Sequence, residues 1–282
     1  MIMNNSANAV DATARPRLEA VYTTRDETNP AIAYLVFNRP AVFNAMNEQL
    51  IREFREVALS LASATDIRVL ILQGAGKAFL AGGDVGTFHA KKDDPTLAAT
   101  VVPMGDSMHD AIVAIRNMPF PVVAQIQGAC AGAGVSVALA CDFVVVSDKA
   151  TFNTAYTKIG LSPDGGATWI LPRMLGIRKA TELIMLAETI DAATALSLGM
   201  VTKVVPADKL DGEVLTLANR LANGATAAYA NAKRLLNESF ETPMRRQMDN
   251  EIARFADCTK TADFKEGVTA FVEKRSAKFV GK

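Results

Sequence analysis

Twice in this chain an apolar run ends in a cluster of glycines. RVLILQ leads into GAGKAFLAGGDV, and FPVVAQIQ leads into GACAGAG, which VSVALAC continues as a helix. RVLILQ reads as a buried-type strand, and so does FPVVAQIQ. A strand, a glycine turn and a helix, repeated without exact periodicity, predict an α/β core with helices packed on sheet. Two extended runs precede them, LEAVYTTR and AIAYLVFN, joined by the turn-rich DETNPA. A helix is expected over roughly residues 47–63, where Leu50, Ile51, Phe54, Val57, Ala58 and Leu61 recur at helical spacing. A second is expected over about 103–117. DFVVVSDKATFN reads as two more short strands. From about residue 173 the pattern turns helical, broken by the strand VTKVV and ending in amphipathic segments near 225–238, 243–257 and 261–273. The expected organisation is a disordered tail over 1–17, a core over 18–205 and a helical region over 206–282.

Charge excludes some partners. Lys+Arg and Asp+Glu both number 30, so no global field favours nucleic acid or an anionic membrane. Three cysteines and two histidines argue against a disulfide framework and a zinc centre, so no metal is expected. The N-terminus lacks the pattern of a secretory signal, and no apolar stretch reaches the ~18–20 residues of a membrane helix. A reduced, cytoplasmic setting is the expectation.

The glycine loops can carry chemistry. A turn that leaves backbone N–H groups free can hold an anion, and a helix start adds a positive dipole. Neither loop fits the dinucleotide or P-loop pattern. Glycine could also serve only close strand–helix packing. Two separated loops, each offering one N–H, could instead form a two-donor oxyanion hole, where losing one donor can cost on the order of 3 kcal/mol.

At this point the chain resembles the crotonase (enoyl-CoA hydratase/isomerase) superfamily. The resemblance is carried by FNRPAVFNAMN, GAGKAFLAGGDV, PVVAQIQGACAGAGVSVALACDFVVVSDKATF, IGLSPDGGATWILPRMLG, ALSLGMVTKVV and FKEGVTAFVEKRSAKF, in family order over about residues 18–279. It implies a spiral of ββα units with a helical C-terminal trimerisation region, assembled as a trimer or a dimer of trimers. It implies acyl-CoA thioester substrates, with coenzyme A part of the substrate rather than a separate cofactor. The implied oxyanion donors are the N–H groups of Gly83 and Ala133. Many members have glycine where Ala133 stands, and alanine narrows the space beside the thioester.

Hydratases of this family hold their water with two glutamates. By register those positions are Ser136 and Tyr156, neither of which is a general base near neutral pH. A third acid position lies further on and is occupied by Asp164. The resemblance is then to isomerases in which one carboxylate carries a proton between two carbons of an enoyl-CoA; an apolar pocket would suit the relay. Local sequence alone offers Asp164 as a helix N-cap instead.

His109 raises another possibility. Arylacyl-CoA dehalogenases of the superfamily carry a histidine at this register and an aspartate at that of Asp164. This chain departs from them at Gly83 and Tyr156, where they have an aromatic residue and an indole. His109 could equally line the acyl pocket or orient Asp164, whereas His89 reads as a surface residue. Ser136 and Tyr156 read as pocket-lining. For coenzyme A, the resemblance implies Lys77 near the phosphates, backbone around Ala81, and Phe271 with Lys274 from the tail of a neighbouring subunit. A basic residue common just after NRP is Ala41 here. Hydratase-type activity and an acyl-CoA- or RNA-binding module without turnover are the remaining alternatives.

Overall fold

The computed structural model describes residues 18–282, so the expected 1–17 tail lies outside the described residues. The first eight strands and helices are β1 (Val21–Arg25), β2 (Ile32–Phe37), α1 (Glu48–Ala62), β3 (Val69–Gly74), α2 (Val85–Ala90), α3 (Leu97–Arg116), β4 (Val122–Ile126) and β5 (Ala129–Ala131). There follow α4 (Ala133–Ala140), β6 (Phe143–Ser147), β7 (Thr151–Asn153), α5 (Ala167–Leu186), β8 (Ile190–Asp191), α6 (Ala192–Ser197) and β9 (Lys203–Val205). The chain then runs through α7 (Leu210–Ala222), α8 (Thr226–Glu238), α9 (Met244–Cys258) and α10 (Ala262–Val272).

Six strands form one sheet in the order β1-β2-β3-β4-β6-β9, parallel except for the β1–β2 pair. A three-stranded sheet, β5-β7-β8, stands beside it. Each parallel step therefore requires a helical crossover, and the short strands of the second sheet are threaded into those crossovers. The long apolar run of β3 follows from burial on both faces. Leu70 and Leu72 point into the main core, where Phe37 meets Phe54 and Phe79 edge-on at 5.1 and 5.7 Å. Val69 and Ile71 point the other way, beneath Leu210, Val214, Ala218 and Leu221 of α7.

α1 falls where its periodicity puts it, and the Asn47 side chain caps it by accepting from the Leu50 N–H at 2.9 Å. Two other helices start six residues earlier than expected, α3 at Leu97 and α5 at Ala167. In both cases an internal proline, Pro103 or Pro172, reads as a boundary but is accommodated within the helix. The bend in α5 comes at Gly176, whose φ of 76° breaks the helical path. GACAGAG is more than a turn, since its first half contains β5.

Polar contacts tie α8 to the core. Lys233 of α8 is buried, reaches Asp142 at 2.8 Å and also donates to the carbonyls of Ile115 and Phe120. Burial pushes the Asp142 carboxyl up, and the Lys233 ammonium opposes that rise. At the other end of the sheet the Glu53 carboxylate is buried and accepts from the N–H groups of Glu19, Ala20 and Val21 at 3.0, 2.8 and 3.0 Å. Burial alone would raise this acid, but the Gln49 amide and the three backbone donors outweigh it and hold it below its ordinary value.

Candidate active site

The first glycine loop is fixed by residues far from it in sequence. After β2 the chain places Phe43 and Asn44 in the left-handed region, at φ 53° and 59°. That turn buries the Asn44 side chain, whose amide donates to the carbonyls of Ala75, Ala78 and Phe79 at 3.0, 2.9 and 3.1 Å. Its oxygen accepts the Arg39 N–H at 2.8 Å. Arg39 in turn pairs with Asp84 at 3.1 Å. Between these anchors Met46 bridges the loop: its N–H donates to Gly82 at 2.7 Å, and its carbonyl accepts from Asp84 at 2.9 Å. A parallel bridge of this kind uses the groups on either side of Gly83 and leaves the N–H of Gly83 itself turned away.

The second loop is zipped onto the first. The Phe79 N–H donates to Ala129 at 3.0 Å, and the Ala131 N–H donates to Leu80 at 2.9 Å. Gly82 and Gly132 meet where the loops touch; a Cβ on Gly82 would stand 3.5 Å from the Gly132 Cα. Gly132 has φ 51° and ψ −125°, a conformation that glycine alone adopts readily. At the second position of α4, a Cβ on Gly134 would lie 2.1 Å from the Leu80 carbonyl oxygen. Ala133 is buried at the first position of α4, where N–H groups have no partner within the helix. Among the described residues, neither the Gly83 nor the Ala133 N–H donates to a protein acceptor. The two free donors thus stand on loops that the fold holds side by side.

Asp164 comes to this place on a loop that closes on itself. Tyr156 follows β7, its carbonyl accepts the Leu161 N–H at 3.0 Å, and its hydroxyl donates to Asp164 Oδ1 at 2.6 Å. A Cβ on Gly132 would lie 4.0 Å from the Tyr156 Cζ, so one tyrosyl ring separates the second donor loop from the carboxylate. Burial, with the Asp164 charge second, pushes the Tyr156 phenol far up and keeps its proton on. The cap alternative for Asp164 is not what the side chain does. Gly166 stands at the N-cap of α5 with no side-chain bond, and it is the Asp164 carbonyl that accepts from Ala167, at 3.2 Å. The enclosed apolar pocket expected around Asp164 is absent from the single chain, where the carboxylate is exposed.

Ser136 lies under this loop, wholly buried, and donates to the Asp164 carbonyl at 3.2 Å. A Cβ on Gly165 would be 3.0 Å from the Ser136 Cβ and 3.2 Å from Ile112 Cδ1, so the space over residue 136 is filled. His109, exposed on α3, accepts the Gly165 N–H at Nε2 at 3.4 Å, one residue from Asp164. His89 is exposed in the last turn of α2.

The residues expected to hold coenzyme A lie on the first loop and on the C-terminal helix α10 with its following turn. Lys77 is exposed on the first loop and Ala81 is half-buried beside Gly82. Phe271 is 85% exposed on α10, and Lys274 follows it in the left-handed region at φ 54°. Among the described residues no three His, Cys, Asp or Glu side chains are grouped to hold a metal ion, and no helix is long and apolar enough to cross a membrane. Asn44, Arg39 and Asp84 were not singled out from the sequence. Their only signal is an asparagine and an arginine flanking a turn after β2 and an acid directly after the glycine pair.

Known proteins resemble this chain in sequence and in fold. Residues 27–282 match the family described as enoyl-CoA hydratase/isomerase. A probable enoyl-CoA hydratase of Rhodobacter capsulatus is 35% identical over 93% of this chain and 99% of its own length. A trans-2-decenoyl-acyl-carrier-protein isomerase of Streptococcus mutans is 34% identical over 89% of this chain and 95% of its own. The crystal structure of an enoyl-CoA hydratase from Polaromonas sp. JS666 superposes with a TM-score of 0.85 at 33% identity, over 92% of this chain and 99% of that one. The fold is therefore the crotonase fold, and hydratases and isomerases both stand among the similar proteins.

Proposed function

Because the chain belongs to the enoyl-CoA hydratase/isomerase family, we propose that it is an isomerase, moving a carbon–carbon double bond within an enoyl-CoA thioester by way of Asp164. The observation that carries this reading is the carboxylate content of the site. Asp164 is one tyrosyl ring away from the loop that carries the Ala133 N–H, while the positions where a hydratase keeps its glutamates hold Ser136, packed beneath Gly165, and Tyr156, whose phenol is kept protonated by burial.

With a 3-enoyl thioester, the carbonyl oxygen lies between the Gly83 and Ala133 N–H groups. Asp164 removes a proton from the α-carbon, and the C–H electron pair moves through the carbonyl carbon onto the oxygen. The resulting dienolate is stabilised where its charge develops. The protonated Asp164 then returns the proton to the γ-carbon on the same face, and the double bond settles next to the carbonyl. One carboxylate suffices, and neither water nor a cofactor enters the balance. Lys77, backbone near Ala81, and Phe271 with Lys274 from a neighbouring copy are the proposed contacts of coenzyme A, in a trimer or a dimer of trimers.

The test is to present the purified protein with 3-enoyl-CoA and with crotonyl-CoA. Isomerisation of the first is expected. Rapid hydration of the second with no isomerisation would refute the reading. Asp164→Asn should lower kcat by about 10²–10⁴-fold, the usual contribution of a positioned acid–base group.

A second reading draws on one contact, His109 against the Gly165 N–H next to Asp164. In a covalent hydrolysis Asp164 would attack an aryl ring and His109 would activate water. Release of halide from a 4-halobenzoyl-CoA, lost in both Asp164→Asn and His109→Gln, would favour it over the isomerase.

A further inference from the structure

The Tyr156 hydroxyl donates to Asp164 Oδ1 at 2.6 Å, a short contact typical of an O–H donor on a carboxylate. Building on the proton-relay reading above, we infer that Tyr156 is the positioning residue of the relay: it holds one oxygen of Asp164 so that the other alone takes the proton from the α-carbon and returns it to the γ-carbon.

Three features support this role. First, Tyr156 is fixed at both ends of its reach. Its N–H donates to the Thr154 carbonyl at 2.7 Å, its carbonyl accepts from Leu161 at 3.0 Å, and its ring lies beside Gly132, which precedes the Ala133 donor. The hydroxyl therefore measures a set distance from the oxyanion side of the site to the carboxylate. Second, the backbone of Asp164 and Gly165 is pinned from other elements. The Asp164 carbonyl accepts from Ser136 of α4 and from Ala167, and the Gly165 N–H donates to His109 of α3. With the backbone held, the torsions of the carboxylate are the freedom left, and Tyr156 removes them. Third, Asp164 is exposed, so protein packing does not orient its carboxylate. Without the phenol, either oxygen could face the substrate or water.

The chemistry needs this restraint. A carbon acid must give and regain a proton at two carbons from one oxygen, with reacting atoms held near 3–3.5 Å. Burial and the Asp164 charge keep the phenol protonated, so it remains a donor through the cycle. Oδ1 accepts from Tyr156 throughout. Oδ2 becomes O–H when the α-C–H breaks, and reverts when the γ-C–H forms.

The test compares Tyr156→Phe with the unaltered protein on 3-enoyl-CoA, measuring kcat, KM and the pH profile. The variant keeps the ring. It should lose about tenfold or more in kcat with KM changed less than about threefold, because a charge-assisted hydrogen bond to the reacting group is removed. The acidic limb of kcat should move up, since a donor to the ionised carboxylate favours that form. Fluorinated tyrosines at position 156 preserve the packing and strengthen the donor, and they should move the same limb down. If Asp164→Asn is inactive while Tyr156→Phe keeps both the original kcat and the original acidic limb, the inference falls and the relay stands. A loss of thermal stability and a raised KM without movement of the limb would likewise mark Tyr156 as merely structural. If Asp164→Asn keeps its activity, the relay itself fails, and the inference with it.

Discussion

Replacing Gly134 with alanine sets two physical effects against each other. Gly134 is the second residue of α4 and has an ordinary negative φ, so helix propensity favours alanine by at most about 1 kcal/mol. The new Cβ, however, would stand 2.1 Å from the Leu80 carbonyl oxygen and 3.0 Å from its carbon. Carbon and carbonyl oxygen settle no closer than about 3.3 Å, so α4 and the first loop must part by roughly 1 Å. The obstacle is backbone rather than a flexible side chain. Crowding of this sort costs about 1–3 kcal/mol, and the Ala131 N–H to Leu80 bond is weakened with it, at about 1 kcal/mol. The contact outweighs the propensity, and Gly134→Ala should be less stable by about 1–3 kcal/mol. The larger effect is on rate. Gly83 and Ala133 sit on the two surfaces being pushed apart, and a misplacement near 1 Å can cost about 10²-fold. On the isomerase reading proposed above, turnover of 3-enoyl-CoA should fall by that factor, or about 2.7 kcal/mol of transition-state stabilisation. Calorimetry would give the stability and steady-state kinetics the rate. A Gly134→Ala protein with unchanged kcat would show that the two loops do not act as one rigid unit.

Lys233→Ala leaves the Asp142 carboxylate, 23% exposed, without its ammonium partner and should cost about 1.5–3 kcal/mol near neutral pH. Because burial already holds the Asp142 carboxyl above its ordinary value, the loss should be greatest above that range and shrink as acid protonates Asp142, which denaturant melts at pH 7.5 and 4.5 would reveal. Glu53→Gln removes a charged acceptor from three backbone donors and should cost about 1.5–3 kcal/mol at pH 7. The folded Glu53 acid lies below its unfolded value of about 4.3, so its contribution is complete above that pH and fades as pH falls through the folded value. Melting curves of the two proteins should therefore converge in acid.

The parts of the fold that repeat at short range were legible in the sequence. β3, β4 and α1 follow from apolar runs and helical spacing. Asp164, Ser136 and Tyr156 could be found by register against a family. What joins them could not. The Tyr156 hydroxyl meets Asp164 only because the chain turns between residues 156 and 161, and no periodic signal marks such a closure. Asn44 lies more than thirty residues from the carbonyls it binds, so its role is a property of the closed fold. Prolines misplaced two helix starts, since local propensity penalises Pro103 and Pro172 and tertiary packing tolerates them.

The bridge between Leu80 and Cys130 has a kinetic consequence. It joins segments fifty residues apart, and Asn44 and Asp164 lie further out on either side. Closing such long loops is slow compared with forming the helices between them. Refolding from denaturant should then recover helical signal well before it recovers turnover. Regained activity would time the last long-range closure, and a chain trapped short of it would look folded by its helix content while remaining inert toward substrate.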